Sequence, residues 1–542
     1  MISQKPISSS DGLPTRITNN KQMKKTAFNL NRTIAFKLCA LLLFFTISLS
    51  CKKESTFINL PLSGPDQDFY VLANNNTLLK YNAKNIKTSL NSVSITGMSP
   101  TEKMLSIDFR PTTGDLYGIS DASKLYIINL SSGLARAVTT TPLTPAVSGT
   151  VISIDFDPTT DRLRLVSNTG QNLRINPETS TVEATDTNIS GGTVMGIAYT
   201  NSTAGASTTT LYDIDPVAKT LNKQEPQNNG ALTKVADLGQ DVGNNVSLDI
   251  SPNNKNVLLA GTLKDFTGLF SIDLDRNVTK LVGKFAGNLA IQSITIPTNP
   301  VAYATTTNAS NANTLLIFNP TLSTTVAVAK TITGMQSGET VLGIDMRPLN
   351  GQVYALGSSN RLYTVNLSTG LFTPVGMGTF ATALVGTSFG FDFSPQEDII
   401  RVVSNTGQNL RINPITASVS VQPNLSASTG PPTVSAAAYS NNIAGSTTSR
   451  LYVIDHVLNK LYTQDQNSGL LSPVGDLKIV ISAVNGFDIS FSNIGDTAYG
   501  IFTVEGKNKL YQINLSTGQA SVAASALEFT QPITGFTLGR RL

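Results

Sequence analysis

The 542-residue chain carries 39 Lys and Arg against 35 Asp and Glu, no Trp, one His and two Cys. One histidine and two cysteines exclude a zinc cluster and a disulfide framework. Residues 1–51 hold seven Lys or Arg and one Asp, so the formal charge of +4 becomes −2 (+4 − 6) for the remainder, and the pI near 8.8 does not argue for nucleic-acid binding.

The N-terminus reads as a targeting segment. Lys21, Lys24, Lys25, Arg32 and Lys37 precede an apolar run from Leu38 to Leu49. That run is too short to span a bilayer. It ends Ser48-Leu49-Ser50-Cys51, small residues before a cysteine, which resembles a lipobox; Ser48 departs from the usual Leu. Cys51 is therefore the expected lipidation site. Met23 is the better start for such a signal. The expected divisions are 1–51 signal region, 52–66 linker, 67–299 first half and 300–542 second half. Both cysteines, Cys39 and Cys51, lie in the signal region, so the mature chain relies on packing alone.

From about Asp66 one pattern recurs ten times: an apolar pair, two variable residues, then Asn, Asp or Glu. Examples are Leu78–Asn82, Leu125–Asn129, Leu362–Asn366 and Leu510–Asn514. Short alternating apolar runs separated by Gly, Pro, Asn and Ser read as strands and turns. The second unit shows four: Met104–Phe109, Leu116–Ser120, Leu125–Asn129 and Ala135–Thr139. Four antiparallel strands per 40–50 residues, roughly, predict an all-β chain, a β-propeller of about ten four-stranded blades in two five-blade halves.

The ends suggest how the units close. Ile533–Leu538 matches a first strand with almost nothing after it, and Phe69–Ala73 matches a second strand with no first strand before it. The expectation is that these two complete one shared blade. The junction Ser293 to Tyr303 has nearly the length of the hairpin Ser106 to Tyr117, which favours one closed ring; the alternative is two five-bladed rings.

The sequence VSNTGQNLRINP occurs twice without a change, at Val166–Pro177 and Val403–Pro414. It resembles the core of a bacterial family, domain of unknown function 4394. The matching residues are Asp155–Pro158 with Arg164–Pro177, and Asp392–Pro395 with Arg401–Pro414. The resemblance covers nearly all of the chain after the signal, as two tandem copies. It implies a secreted or envelope protein and assigns no chemistry.

Asn-Thr-Gly alone makes a turn. A turn does not explain why Asn168, Gln171, Asn172 and Arg174 recur unchanged as Asn405, Gln408, Asn409 and Arg411. Two readings stand: a network of amide and guanidinium bonds between blades, or a ligand surface for carboxylate, phosphate or glycan. The two copies are expected to act as equivalents.

First strands also repeat an aspartate: Asp108, Asp155, Asp249, Asp345, Asp392 and Asp488. The fourth and ninth positions read as Ala198 and Ala437, and two others as Thr295 and Thr537. Paired carboxylates suit glycoside hydrolysis or a hard cation. The structural reading makes Asp155 with Arg164, and Asp392 with Arg401, polar pairs across a hairpin. The lone His456 reads as a solvated loop residue. No residue is assigned to catalysis or to a metal, and no cofactor is expected.

The function expected is a lipid-anchored cell-envelope propeller, a non-enzymatic binding module for protein or glycan. The alternative is a carboxylate-based hydrolase or lyase acting on glycans. The expected partners are the membrane, through the anchor, and a protein or glycan ligand, but no nucleic acid. The binding module predicts aspartates tied up within their blades; the hydrolase predicts aspartates converging in an open pocket.

Overall fold

In the computed structural model the described residues are 63–540, apart from 75, 288, 308–312, 323–327, 429 and 493–494. Cys51, the signal region and the start of the linker lie outside them. The regular elements of the described chain are strands, with one 3-10 turn at Gln227–Asn229. It forms ten antiparallel sheets, nine of four strands and one of five.

Successive residues of a strand point to opposite faces of its sheet, and here both faces are buried. Leu116 and Tyr126 pack on Tyr70 and Phe109, while Tyr117, Ile119 and Leu125 pack on Ile154, Phe156 and Leu163. This is why the strands read as near-continuous apolar runs, and why the cores are slabs between neighbouring sheets.

The pairing of the end strands differs from the sequence expectation. Ile533–Leu538 pairs with Ala302–Thr307, and not with the Phe69 strand. Asp68–Ala73 is completed by Ile291–Thr295. No described sheet mixes strands from before residue 300 with strands after it. The supposed hairpin at the junction is a crossing between sheets. Its sequence Ile296-Pro297-Thr298-Asn299-Pro300 holds two prolines, which donate no ladder bond and push the preceding residues into extended backbone. Here the chain runs on from Ile291–Thr295 into a different sheet, where a hairpin was expected.

The inner strands pack in two cycles. In the first half Met104–Phe109 packs on Ile152–Asp157, then follow Gly196–Tyr199, Asn245–Ile250 and Ile291–Thr295, which returns to Met104–Phe109. In the second half the order is Val341–Met346, Phe389–Ser394, Val434–Tyr439, Ala483–Ser492 and Ile533–Leu538, which returns to Val341–Met346.

The halves meet through hairpin turns. Tyr303 Oη donates to the Thr112 carbonyl at 2.9 Å, the Arg540 N–H to the Thr113 carbonyl at 2.9 Å, and Ser368 Oγ to the Thr160 carbonyl at 2.9 Å. Arg540 also pairs with Asp115, Nε to carboxylate at 3.0 Å. Under these turns lies a buried ion cluster, Arg110 between Asp161 and Glu178. Its counterpart in the second half is Arg347 with Asp398.

Candidate functional site

Each cycle presents five inward positions at the same depth, set by strand register. In the first half they are Asp108, Asp155, Ala198, Asp249 and Thr295; in the second, Asp345, Asp392, Ala438, Asp488 and Thr537. Ala198 lies opposite Tyr212 and Ala438 opposite Tyr452, so the ninth position is Ala438 and not Ala437. The order Asp-Asp-Ala-Asp-Thr is thus the same in both halves.

The cycles bring the aspartates together. Carboxylate oxygens of Asp108, Asp155 and Asp249 lie within 4.8 Å of one another, as do those of Asp345, Asp392 and Asp488. All six are buried. Each accepts a backbone N–H from the next inner strand: Asp108 from Phe156 at 2.9 Å, Asp155 from Tyr199 at 3.2 Å, Asp249 from Ile296 at 2.5 Å. The second half repeats this with Phe393 on Asp345, Tyr439 on Asp392 and Leu538 on Asp488. Thr537 Oγ1 bridges Asp345 and Asp488, at 3.0 and 2.9 Å. The aspartates are therefore clamps between sheets, where bonds within a blade were expected.

Burial raises the pKa of every one of these carboxyls, because a charge there loses its water. In Asp108, Asp155, Asp345 and Asp392 the adjacent carboxylates add to the rise. Asp249 is pushed up to about 7 by burial, against the pull of the Ile296 and Ile250 N–H groups. Three such groups can share protons, and their oxygen-only donor set would suit a hard cation.

Two residues before each inward position the halves diverge. The first half has Ser106, Ser153, Gly196, Ser247 and Ser293, and these hydroxyls join adjacent sheets. Ile154 N–H donates to Ser106 at 3.2 Å, Ile197 N–H to Ser153 at 3.0 Å, Ile294 N–H to Ser247 at 2.9 Å. The second half has Gly343, Gly390, Ala436, Gly486 and Gly535 around a cleft of about 290 Å³. There the backbones approach too closely for a side chain: a Cβ on Gly486 would fall 2.3 Å from that of Phe536.

The expected Asp–Arg pairs hold only in register. Asp155 lies opposite Arg164 and Asp392 opposite Arg401, yet neither arginine bonds the aspartate. Each guanidinium extends away from the cycle into the repeated stretch. Arg164 donates to Asn172 at 2.6 Å, Asp186 at 3.0 Å, Tyr199 at 2.8 Å and Asn228 at 2.7 Å. A buried guanidinium needs acceptors for its five N–H groups, and the aspartate is already held by backbone.

The repeated stretch itself forms a latch. Asn168 Oδ1 accepts the Thr150 and Val151 N–H groups, and Gln171 takes the Ser148 N–H and donates to the Ala146 carbonyl. Asn405 and Gln408 do the same for residues 383–388. Asn172 and Asn409 each donate to a backbone carbonyl, of Thr187 and Pro423, and accept from Arg164 and Arg401. These amides hold the connection that leads into an inner strand.

Arg174 and Arg411 are not equivalents. Arg174 makes two bonds to Asp186, at 2.8 and 3.0 Å, whereas Arg411 pairs with Glu397 at 2.7 Å. Asp186 has its counterpart in Gln422: each N–H donates to the repeated asparagine's carbonyl. The change leaves Arg401, fully buried, with only neutral acceptors among the described residues: Asn409 at 3.0 Å, Tyr439 at 3.4 Å and the Gln466 carbonyl at 3.4 Å. Sequence reading missed Asp186, though its divergence to Gln422 beside an unchanged arginine was a signal. Gln422→Asp is expected to stabilise the protein by about 1–3 kcal/mol, as a carboxylate returns to a buried cation. A urea midpoint equal to or below the parent's would count against this account.

The DUF4394 family, a domain of unknown function, matches residues 77–295 and again 314–537. No curated protein shows significant similarity. Among solved structures, the extracellular domain of a one-component system protein from B. thetaiotaomicron is 12% identical, with a TM-score of 0.24, 86% of this chain and 65% of that chain covered. PorZ, a surface component of the type-IX secretion system of Porphyromonas gingivalis, is 13% identical, with a TM-score of 0.23, 85% of this chain and 58% of that one covered. U3-55K is 12% identical, with a TM-score of 0.25 and coverages of 75% and 90%. This chain thus spans less than two thirds of the first of these.

Proposed function

The chain belongs to the DUF4394 family, in two tandem copies, and from that premise we propose a non-enzymatic, envelope-anchored binding module built as two five-bladed propellers. The two-ring reading is supported by the separate cycles of inner strands and by the closure of each half on its own strand. It takes the alternative to the single ring of ten.

One observation carries the non-enzymatic reading: all six central carboxylates are buried and bonded to backbone N–H groups. Glycosidase carboxyl pairs stand roughly 5–9.5 Å apart and flank a sugar. Here three oxygens crowd within 4.8 Å, leaving no room for one between them. The aspartates converge, as a hydrolase requires, but in the interior of the fold. The latch amides are occupied by the chain itself, which leaves other surfaces for a protein or glycan.

The anchor rests on the sequence around Cys51. Among the described residues no helix is long and apolar enough to cross a membrane. Cys51→Ala is expected to move the protein from the membrane to the soluble fraction, since one acyl-bearing residue is the attachment the sequence offers. The released protein should then co-sediment with cell-wall glycan without generating reducing ends. Reducing ends lost on Asp155→Asn with Asp392→Asn would refute the module in favour of the hydrolase, and unchanged fractionation would refute the anchor.

A further inference from the structure

Besides the hairpin turns, two related places where the halves face each other differ. On one side the first-half loop around Ala204 packs against Ile317 and Val328 of the second half, within a closed apolar core. On the other side the second-half loop around Ile443 and Ala444 faces the equivalent first-half sheet. There Lys80 stands in the register place of Ile317, and Asn91 in that of Val328. The apolar seat is missing, and a cleft of about 540 Å³ lies between the halves.

The cleft is amphipathic. Leu116, Ile128, Ile443, Phe491, Pro297 and Pro300 supply apolar wall. Lys80, Arg136 and Arg540 supply three cations against one lining carboxylate, Asp115. Arg540 is neutralised by Asp115, and Lys80 by Asp68 at 2.8 Å. Arg136 is left over. It occupies the place of Thr373 in the second half, opposite Ile127 as Thr373 is opposite Thr364. Its Nη2 donates to the Leu349 carbonyl, while its buried Nη1 meets no acceptor among the described residues. Thr298 Oγ1, also on the cleft wall, is buried without a partner among the described residues. Burial and the nearby Arg540 lower the Arg136 pKa to about 10, as expected of a cation lacking a counter-charge.

We propose that this cleft binds a small organic anion, an apolar body carrying one oxyanion head that pairs with the Arg136 guanidinium. The apolar wall takes the body and the unneutralised guanidinium takes the head. The site is remote in role from the central carboxylates and independent of the envelope reading.

Displacement of the fluorescent anion 8-anilinonaphthalene-1-sulfonate by octanoate tests it, with octanamide as the neutral isostere. Octanoate is expected to displace the dye saturably and octanamide at least about tenfold more weakly, for loss of a charge-assisted bond. Arg136→Thr, which installs the second half's own residue, should weaken octanoate by about tenfold and leave octanamide unchanged. Lys80→Ile with Asn91→Val, which restores the apolar seat, should abolish both while the melt stays cooperative. Equal competition by acid and amide, octanoate binding undiminished in Arg136→Thr, or binding retained in the seat-restoring variant would each overturn the proposal.

Discussion

Removal of residues 531–542 is expected to unfold the second half and leave the first half folded. The deletion takes away Ile533–Leu538, which ladders to Ala302–Thr307 and packs between Val341–Met346 and Ala483–Ser492. Ile533, Phe536 and Leu538 are buried, and at roughly 1.5–3 kcal/mol each their loss removes about 5–9 kcal/mol. That equals the whole net stability of many domains, about 5–15 kcal/mol. Two carboxylates also lose one of their partners, because Thr537 holds Asp345 and Asp488 and the Leu538 N–H holds Asp488. The first half keeps its own closing strand, Ile291–Thr295 on Asp68–Ala73. Limited proteolysis should therefore leave a resistant fragment ending near residue 300. A thermal melt within a degree or two of the parent would sink the closure argument; loss of both halves together would show that they close as one.

Stability is expected to fall from pH 5 to pH 7.5 in the presence of a chelator. The sign follows from the central carboxyls, whose folded pKa lies above the unfolded value. Between the two values the native state holds a proton that the unfolded chain has released, so stability decreases as pH rises. For Asp249, raised from 3.8 to about 7, the window is that interval, and pH 5 to 7 spans most of it. At about 1.4 kcal/mol per unit of pH this one group loses on the order of 2–3 kcal/mol. The other five, whose pKa burial also raises, add to the loss in the same direction. Urea midpoints across this range measure it, and Asp249→Asn should flatten the slope. Stability that rises over the same interval would mean that the carboxylates are ionised and neutralised in the fold, contrary to this account.

The sequence by itself determined the strand content, the repeating units and their two tandem copies. These depend on local pattern: apolar runs with turns between them fix where strands begin and end. It also contained the order Asp-Asp-Ala-Asp-Thr twice, without showing that those residues meet. Convergence depends on which strand closes each half, and Ile533–Leu538 matches any inner strand by pattern. Only the tertiary structure decided between Asp68–Ala73 and Ala302–Thr307 as its partner, because either strand offers a free edge of the same pattern. Register was legible, since Asp155 does lie opposite Arg164. The contact was not, because a long guanidinium can leave its cross-strand neighbour for Asn172 and Asp186, and a backbone N–H from the next sheet reaches the aspartate first. The latch of Asn168 and Gln171, and the cleft at Arg136, depend likewise on segments far apart in the chain. Their partners are fixed by packing between sheets and between halves, a property no local pattern encodes.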